Sequence, residues 1–162
     1  MKTVIKKIEK IIWDLLHWGR KLYWRTFKIK TFGARVLLYK EGKVFLQKNK
    51  YGNLWVFPGG GMKAGEDPYV AGKRELYEES NIKALEFDRI LGKYRNTREG
   101  RNDTVVIVII KKWADHGRKA NFEIEDSNWF GVDELPETTS GATRRRIEEF
   151  LRNEIEEIRG NW

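Results

Sequence analysis

Glu75, Glu78 and Glu79 are spaced i, i+3 and i+4. On an α-helix that spacing puts all three carboxylates within a sector of roughly 100° on one face. Three negative charges so close repel one another and cost stability without a counter-charge. A divalent cation relieves the repulsion, and an all-oxygen ligand set selects Mg2+, with Mn2+ as a substitute, over Zn2+. Gly59, Gly60 and Gly61 come just before this stretch. Such a loop offers carbonyls to complete a metal shell and N–H groups to receive phosphate. Ala71 and Gly72, one turn before the carboxylates, are small enough to let a loop backbone approach the helix. A lone Glu-x-x-Glu-Glu is usually a solvated acidic face, so the assignment turns on what surrounds it.

The elements that must position these groups follow from pattern. Asp67-Pro68 is a strong helix start, because Asp caps free N–H groups and Pro suits the first helical position. The helix is predicted to run to about Ser80. Upstream, Arg35–Lys40 and Lys43–Lys48 read as two strands joined by the turn Glu41-Gly42. Further strands are predicted at Ile82–Tyr94, at Thr104–Trp113 with its buried run of Val and Ile, and at Ser127–Val132. Ser140 caps a last helix predicted to reach about Ile158. Strands mixed with helices argue an α/β layered domain.

The spacing extends well beyond the triplet. From Gly60 the next Glu of the pattern is Glu66, Arg74 follows eight residues later, and Glu75-Leu76-x-Glu78-Glu79 completes the run. This resembles the Nudix box, Gly-x5-Glu-x7-Arg-Glu-U-x-Glu-Glu-x-Gly-U with U aliphatic, over Gly60 to Ile82. Eight of the nine specified positions match, a coincidence expected on the order of once in a million chains of this length. Asn81 stands where the family has Gly; the chain there is expected to turn left-handed, and Asn is the next most tolerant residue, at a small cost in stability. Gly33-Ala-Arg-Val-Leu-Leu, Trp55-x-x-Pro58-Gly-Gly-Gly and Trp129-Phe-x-x-Asp-Glu-Leu-Pro136 are similar to flanking family features.

The resemblance implies a Nudix-type α/β/α sandwich with a mixed β-sheet, preceded here by an N-terminal amphipathic helix. It also implies divalent-metal-dependent hydrolysis of a nucleoside diphosphate linked to another moiety, by water attacking a pyrophosphate phosphorus. Glu75, Glu78 and Glu79 match the metal-binding carboxylates, with the Gly59 carbonyl as a further ligand. Glu66 and Arg74 match the ion pair that ties loop to helix, beside Gly60. A general base outside the box is sought among Glu123, Glu125 and Asp126, with Glu123 preferred and Glu75 the alternative. Lys48, Tyr51 and the Arg95/Arg98/Arg101 cluster are candidates for substrate contact, against the reading that they are solvated charges. Trp55 and Trp129 read as core rather than as stacking platforms.

Substrate clues are mostly negative. The proline that ADP-ribose pyrophosphatases carry past the box is absent, Thr97 and Arg98 standing there. No Tyr takes the place used by dinucleoside polyphosphate hydrolases, and the NADH-type tail is missing. A nucleoside triphosphate or related small nucleotide is the expected substrate. An RNA 5′-end pyrophosphohydrolase is an alternative; the basic N-terminus favours it, but Pro58-Gly-Gly-Gly stands where that group has Pro-Gln-Gly-Gly. The other alternative, a catalytically silent nucleotide-binding or regulatory module, is marked by a lost box carboxylate, and all three are present.

Composition agrees with one domain and adds an attachment. The chain has 162 residues, 40% apolar and 13% aromatic, enough to exclude a disordered tail. It has no Cys and two His, so neither a disulfide framework nor a thiolate or histidine-rich metal centre is available. Of the net charge of +8, residues 1–30 carry +7, which leaves the expected domain at 31–162 nearly neutral. Ile5, Ile8, Ile12, Leu15 and Leu22 recur at helical spacing opposite the lysines and arginines. Three readings remain for that helix: packing on the domain or on a second copy, lying on an anionic membrane, and contacting nucleic acid. Sequence-specific nucleic-acid binding is not expected, since no base-reading motif accompanies it. No stretch approaches a membrane span or a cleavable leader. The expected location is the cytoplasm, including the inner face of a membrane should the helix bind lipid.

Overall fold

The computed structural model describes residues 30–50, 52–96, 102–117, 122–153 and 159–162. The amphipathic segment, Tyr51, Arg98 and Arg101 lie outside the described residues.

Among the described residues, seven strands and two helices follow in the order β1 (Lys30–Lys40), β2 (Lys43–Asn49), β3 (Trp55–Val56), α1 (Pro68–Ser80), β4 (Ile82–Asn96), β5 (Asn102–Asp115), β6 (Ile124–Gly131), α2 (Gly141–Leu151) and β7 (Arg159–Asn161). β1 runs parallel to β5, while β4 is antiparallel to β5 and parallel to β7. β2 turns back on β1 and carries β3 and β6, all antiparallel. The β1–β2 turn has Glu41 at φ 50° and Gly42 at φ 75°. Two positive φ values in a two-residue loop match the twist of the strands it joins.

Alternation along the strands builds two cores. Val36 and Leu38 of β1 join Leu76, Ile82, Val106, Val108 and Ile110 beneath α1. Leu37 faces the other way, onto Leu46, Phe57, Ile107, Ile109 and Ile147 of α2. The mixed sheet is thus covered on both faces, as the α/β/α sandwich requires.

Two expectations need correction. Gly72 faces the sheet and not the glycine loop, and Ala71 beside it is buried. A Cβ on Gly72 would stand 3.0 Å from Val36 Cγ2, so smallness here serves the seating of α1 on β1. The last helix stops at Leu151 rather than near Ile158, with Arg152 as cap and Asn153 turned to φ 50°. Arg89 Nη2 donates to Asn153 Oδ1 at 3.2 Å and holds that turn. The short strands β3 and β7 carry too few residues for a periodic signal.

Asn81 takes φ 56° and ψ 26°, the left-handed conformation expected where the box has Gly. Its Nδ2 also donates to the carbonyls of His116 (3.3 Å) and Gly117 (3.0 Å) at the end of β5, which offsets the conformational cost. Asn81→Ala keeps that cost and loses both bonds, so it is expected to destabilise by about 2 kcal/mol. Asn81→Gly relieves the backbone and loses only the bonds, so it should stay within about 1 kcal/mol of wild type. Denaturant unfolding checks the order, and an Ala variant as stable as the Gly variant contradicts it.

Candidate functional site

The site lies where the glycine loop passes between β1 and α1. The loop behaves as an extra strand along β1. Val36 N–H donates to the Pro58 carbonyl at 2.9 Å, Ala34 N–H to Gly60 at 3.0 Å, and Met62 N–H to Phe32 at 2.8 Å. This register leaves no space at two glycines. A Cβ on Gly59, which has φ 131°, would stand 2.2 Å from the Ala34 carbonyl oxygen. One on Gly60 would stand 2.7 Å from the Glu75 carboxyl carbon, so the Glu75 carboxylate rests directly against the loop.

From the other side α1 presents its carboxylates. Asp67 caps the helix by accepting from Tyr69 N–H at 2.8 Å and Val70 N–H at 3.2 Å, with Pro68 opening it. Arg74 then reaches back to the loop. Its Nε and Nη2 donate to the two oxygens of Glu66 at 3.2 and 3.1 Å, and Nη2 also donates to the Gly61 carbonyl at 3.2 Å. Nη1 donates to Glu75 Oε1 at 2.6 Å and lies 3.6 Å from Glu78 Oε2. Lys63 N–H donates to Glu66 Oε2 at 2.8 Å. The bond from Arg74, with that from Lys63 N–H, holds the Glu66 carboxyl below the usual range. One guanidinium therefore ties loop to helix and steadies Glu75.

Glu79 is the inner carboxylate. Its Oε2 accepts from Gln47 Nε2 of β2 at 2.7 Å and from Gly59 N–H at 2.8 Å. Burial pushes its pKa up, the charge on Glu75 adds to that rise, and the two hydrogen bonds and Arg35 oppose it. Gln47 is fully buried and its Oε1 accepts from Ser80 Oγ at 3.4 Å. On β1, Arg35 Nη1 donates to the Gly59 carbonyl, the group expected to ligate metal, and to the Phe57 carbonyl at 3.4 Å.

Whether these residues suit a hard divalent cation is decided by their chemistry. Among the described residues no three acidic or histidine side chains already stand together as a metal cluster; Glu75 leans on Arg74 while Glu79 is tied to Gly59. The donors are nonetheless all oxygen, on one helical face. Glu75 rests on a glycine that a Cβ would block, and burial and the neighbouring charge of Glu75 disfavour the charged form of Glu79. Each Glu79 partner binds Oε2, and the carbonyl of Gly59 has a second lone pair beyond the one facing Arg35. The set fits a cation such as Mg2+.

The remaining candidates lie on other elements. Glu123 stands next to the start of β6, its carbonyl accepting from Lys50 N–H at 2.8 Å. Lys48 is paired with Glu125 at 3.4 Å, and Arg95 is exposed on β4. Trp129 stacks on Trp113 with ring centroids 5.6 Å apart, and Trp55 meets Phe130 edge-on at 4.7 Å, so both pack in the core. Arg35 and Gln47 were not singled out from the sequence. Their signal was a polar side chain at a position flanked by buried apolar ones, Ala34 and Val36 for the first and Leu46 for the second.

The family described as NUDIX domain matches residues 29–151. Diphosphoinositol polyphosphate phosphohydrolase 3-alpha of Mus musculus is 35% identical over 98 residues, which are 54% of this chain and 59% of that protein. Diphosphoinositol polyphosphate phosphohydrolase 2 of Mus musculus is 36% identical over 98 residues, 54% of each chain. The chain thus spans somewhat over half the length of these curated relatives. Among solved structures, a MutT NUDIX hydrolase from Burkholderia pseudomallei superposes with TM-score 0.65 at 22% identity, covering 75% of this chain and 98% of that one. A UDP-X diphosphatase superposes with TM-score 0.65 at 21% identity, covering 81% and 68% respectively. At these identities the superpositions establish the fold.

Proposed function

The chain belongs to the NUDIX family, and from that premise we propose that it hydrolyses the pyrophosphate bond of a small nucleotide, most simply a nucleoside triphosphate, with Glu75, Glu78 and Glu79 holding a divalent cation. The observation that carries this reading is the packing of Glu75 and Glu79 against Gly59 and Gly60. Two carboxylates from one helix and the backbone of one loop meet there, and Arg74 and Glu66 fix their spacing. Mg2+ or Mn2+ bound there would neutralise charge between the phosphates and lower the pKa of the attacking water. The water oxygen bonds to phosphorus, the bridging oxygen leaves on the departing phosphate or pyrophosphate, and the water proton passes to a carboxylate. Glu123 is the preferred acceptor, with Glu75 the alternative. The protein's share is positioning and charge, which dominate catalysis of phosphoryl transfer.

A second reading has its own support. The curated relatives are named diphosphoinositol polyphosphate phosphohydrolases, so a diphosphorylated inositol polyphosphate belongs in any substrate test. Nucleoside triphosphates, nucleoside diphosphate sugars and a diphosphoinositol polyphosphate are to be assayed with Mg2+ and with Mn2+, by release of phosphate or pyrophosphate for the first and last and of nucleoside monophosphate with sugar phosphate for the second. Turnover of nucleoside triphosphates is the expected result. Turnover of the inositol compound alone favours the second reading, and no turnover of any compound with either metal removes the enzyme reading.

A further inference from the structure

Gly59 is gripped at both ends by charged side chains from different elements. Its N–H donates to Glu79 Oε2 of α1 at 2.8 Å, and its carbonyl accepts from Arg35 Nη1 of β1. The same guanidinium nitrogen reaches the Phe57 carbonyl at 3.4 Å, so Arg35 spans the turn at Pro58. Burial pulls the Arg35 pKa below its usual value, and the charges of Glu79, Glu75 and Asp103 around the guanidinium oppose that pull. Asp103 is held in turn by Thr31 Oγ1, which donates to its Oδ1 at 3.0 Å. Arg35 lies outside the Gly60–Ile82 box, on a strand whose neighbouring positions, Ala34 and Val36, are fully buried.

We propose that Arg35 is a positioning residue of this site, holding the Gly59–Gly60 backbone from the strand side as the Arg74–Glu66 pair holds the loop from the helix side, and so setting the geometry in which Glu75, Glu79 and the loop meet a divalent cation. The inference rests on the metal-binding reading given above. A guanidinium suits the task because its donors are fixed in one plane and its charge is permanent, whereas an ammonium is a point charge on a flexible stem. Two effects of Arg35 on metal affinity oppose each other. As a cation beside the carboxylates it repels a metal ion, so its removal would tighten binding. As a clamp it keeps the ligands in place, so its removal would loosen binding. The clamp prevails because two backbone carbonyls lose their donor at once and the loop has no other side-chain anchor on the β1 side among the described residues.

The test is Mn2+ binding by the full chain, read by electron paramagnetic resonance, for wild type, Arg35→Met and Arg35→Lys, with circular dichroism on each. Arg35→Met is expected to bind Mn2+ about 10- to 100-fold more weakly, the range seen when residues that orient metal ligands are lost. Arg35→Lys, which keeps the charge but not the fork, is expected to fall between Met and wild type. Arg35→Met binding as tightly as wild type, or tighter, overturns the proposal and leaves Arg35 a counter-charge. Should Arg35→Met not fold, the Lys variant decides alone, and wild-type affinity in it overturns the proposal. A wild-type protein that does not bind Mn2+ overturns the metal reading itself, a different result from either variant outcome.

Discussion

Glu78→Gln is expected to lower kcat by at least about 100-fold while the protein stays folded. Glu78 is the outermost of the three carboxylates, its side chain 58% exposed, with Arg74 Nη1 3.6 Å from Oε2. An ion pair that exposed contributes at most about 1 kcal/mol to stability, so the thermal midpoint should barely move. Gln preserves the shape and removes the charge that a cation requires. The effect therefore falls on chemistry and not on folding, which distinguishes a ligand from a solvated surface acid. Activity near wild type would refute the assignment. Glu79→Gln is a poorer test, because its carboxylate also holds Gln47 and Gly59, and site and loop would fail together.

Gly59→Ala is expected to damage the fold itself. The added Cβ would lie 2.2 Å from the Ala34 carbonyl oxygen and 2.9 Å from Arg35 Cα, both backbone atoms that cannot swing aside, and φ of 131° is strained for any L side chain. Relief requires the loop to leave β1, breaking the bonds from Ala34 to Gly60 and from Val36 to Pro58. A loss of more than about 3 kcal/mol follows from strain and severed hydrogen bonds together. Gly61→Ala is the control: nothing lies within 4 Å of its Cβ, so it should cost less than about 1 kcal/mol. Denaturant unfolding measures both, and equal stability of the two variants would contradict the close approach at Gly59.

What the sequence made legible was local. Asp67, Pro68, Glu66, Arg74 and the three carboxylates lie within fourteen residues, and helical geometry links them. The left-handed turn at Asn81 was legible for the same reason. The partners of Gly59 and Glu79 were not. Arg35 reaches Gly59 across 24 positions and Gln47 reaches Glu79 across 32, separations that only the pairing of β1 with the loop and of β2 with its neighbours brings together. Each was visible only as a polar residue among buried ones, and nothing in the chain states which group it would meet. The overlong estimate for α2 has a similar cause. Glu and Arg continue helical propensity past Leu151, whereas Arg89 of β4 holds Asn153 in the turn that ends it.

The central claim is that a divalent cation on the α1 carboxylates drives hydrolysis of a pyrophosphate bond. It is tested most directly by phosphate release from the best substrate found, titrated with Mg2+, stripped with chelator and restored with Mg2+, with Glu78→Gln in parallel. The account predicts release that saturates with Mg2+, vanishes on chelation, returns on re-addition, and in the variant stays at least about 100-fold lower. Release by wild type that persists under chelation, or equal release by the variant, would contradict it.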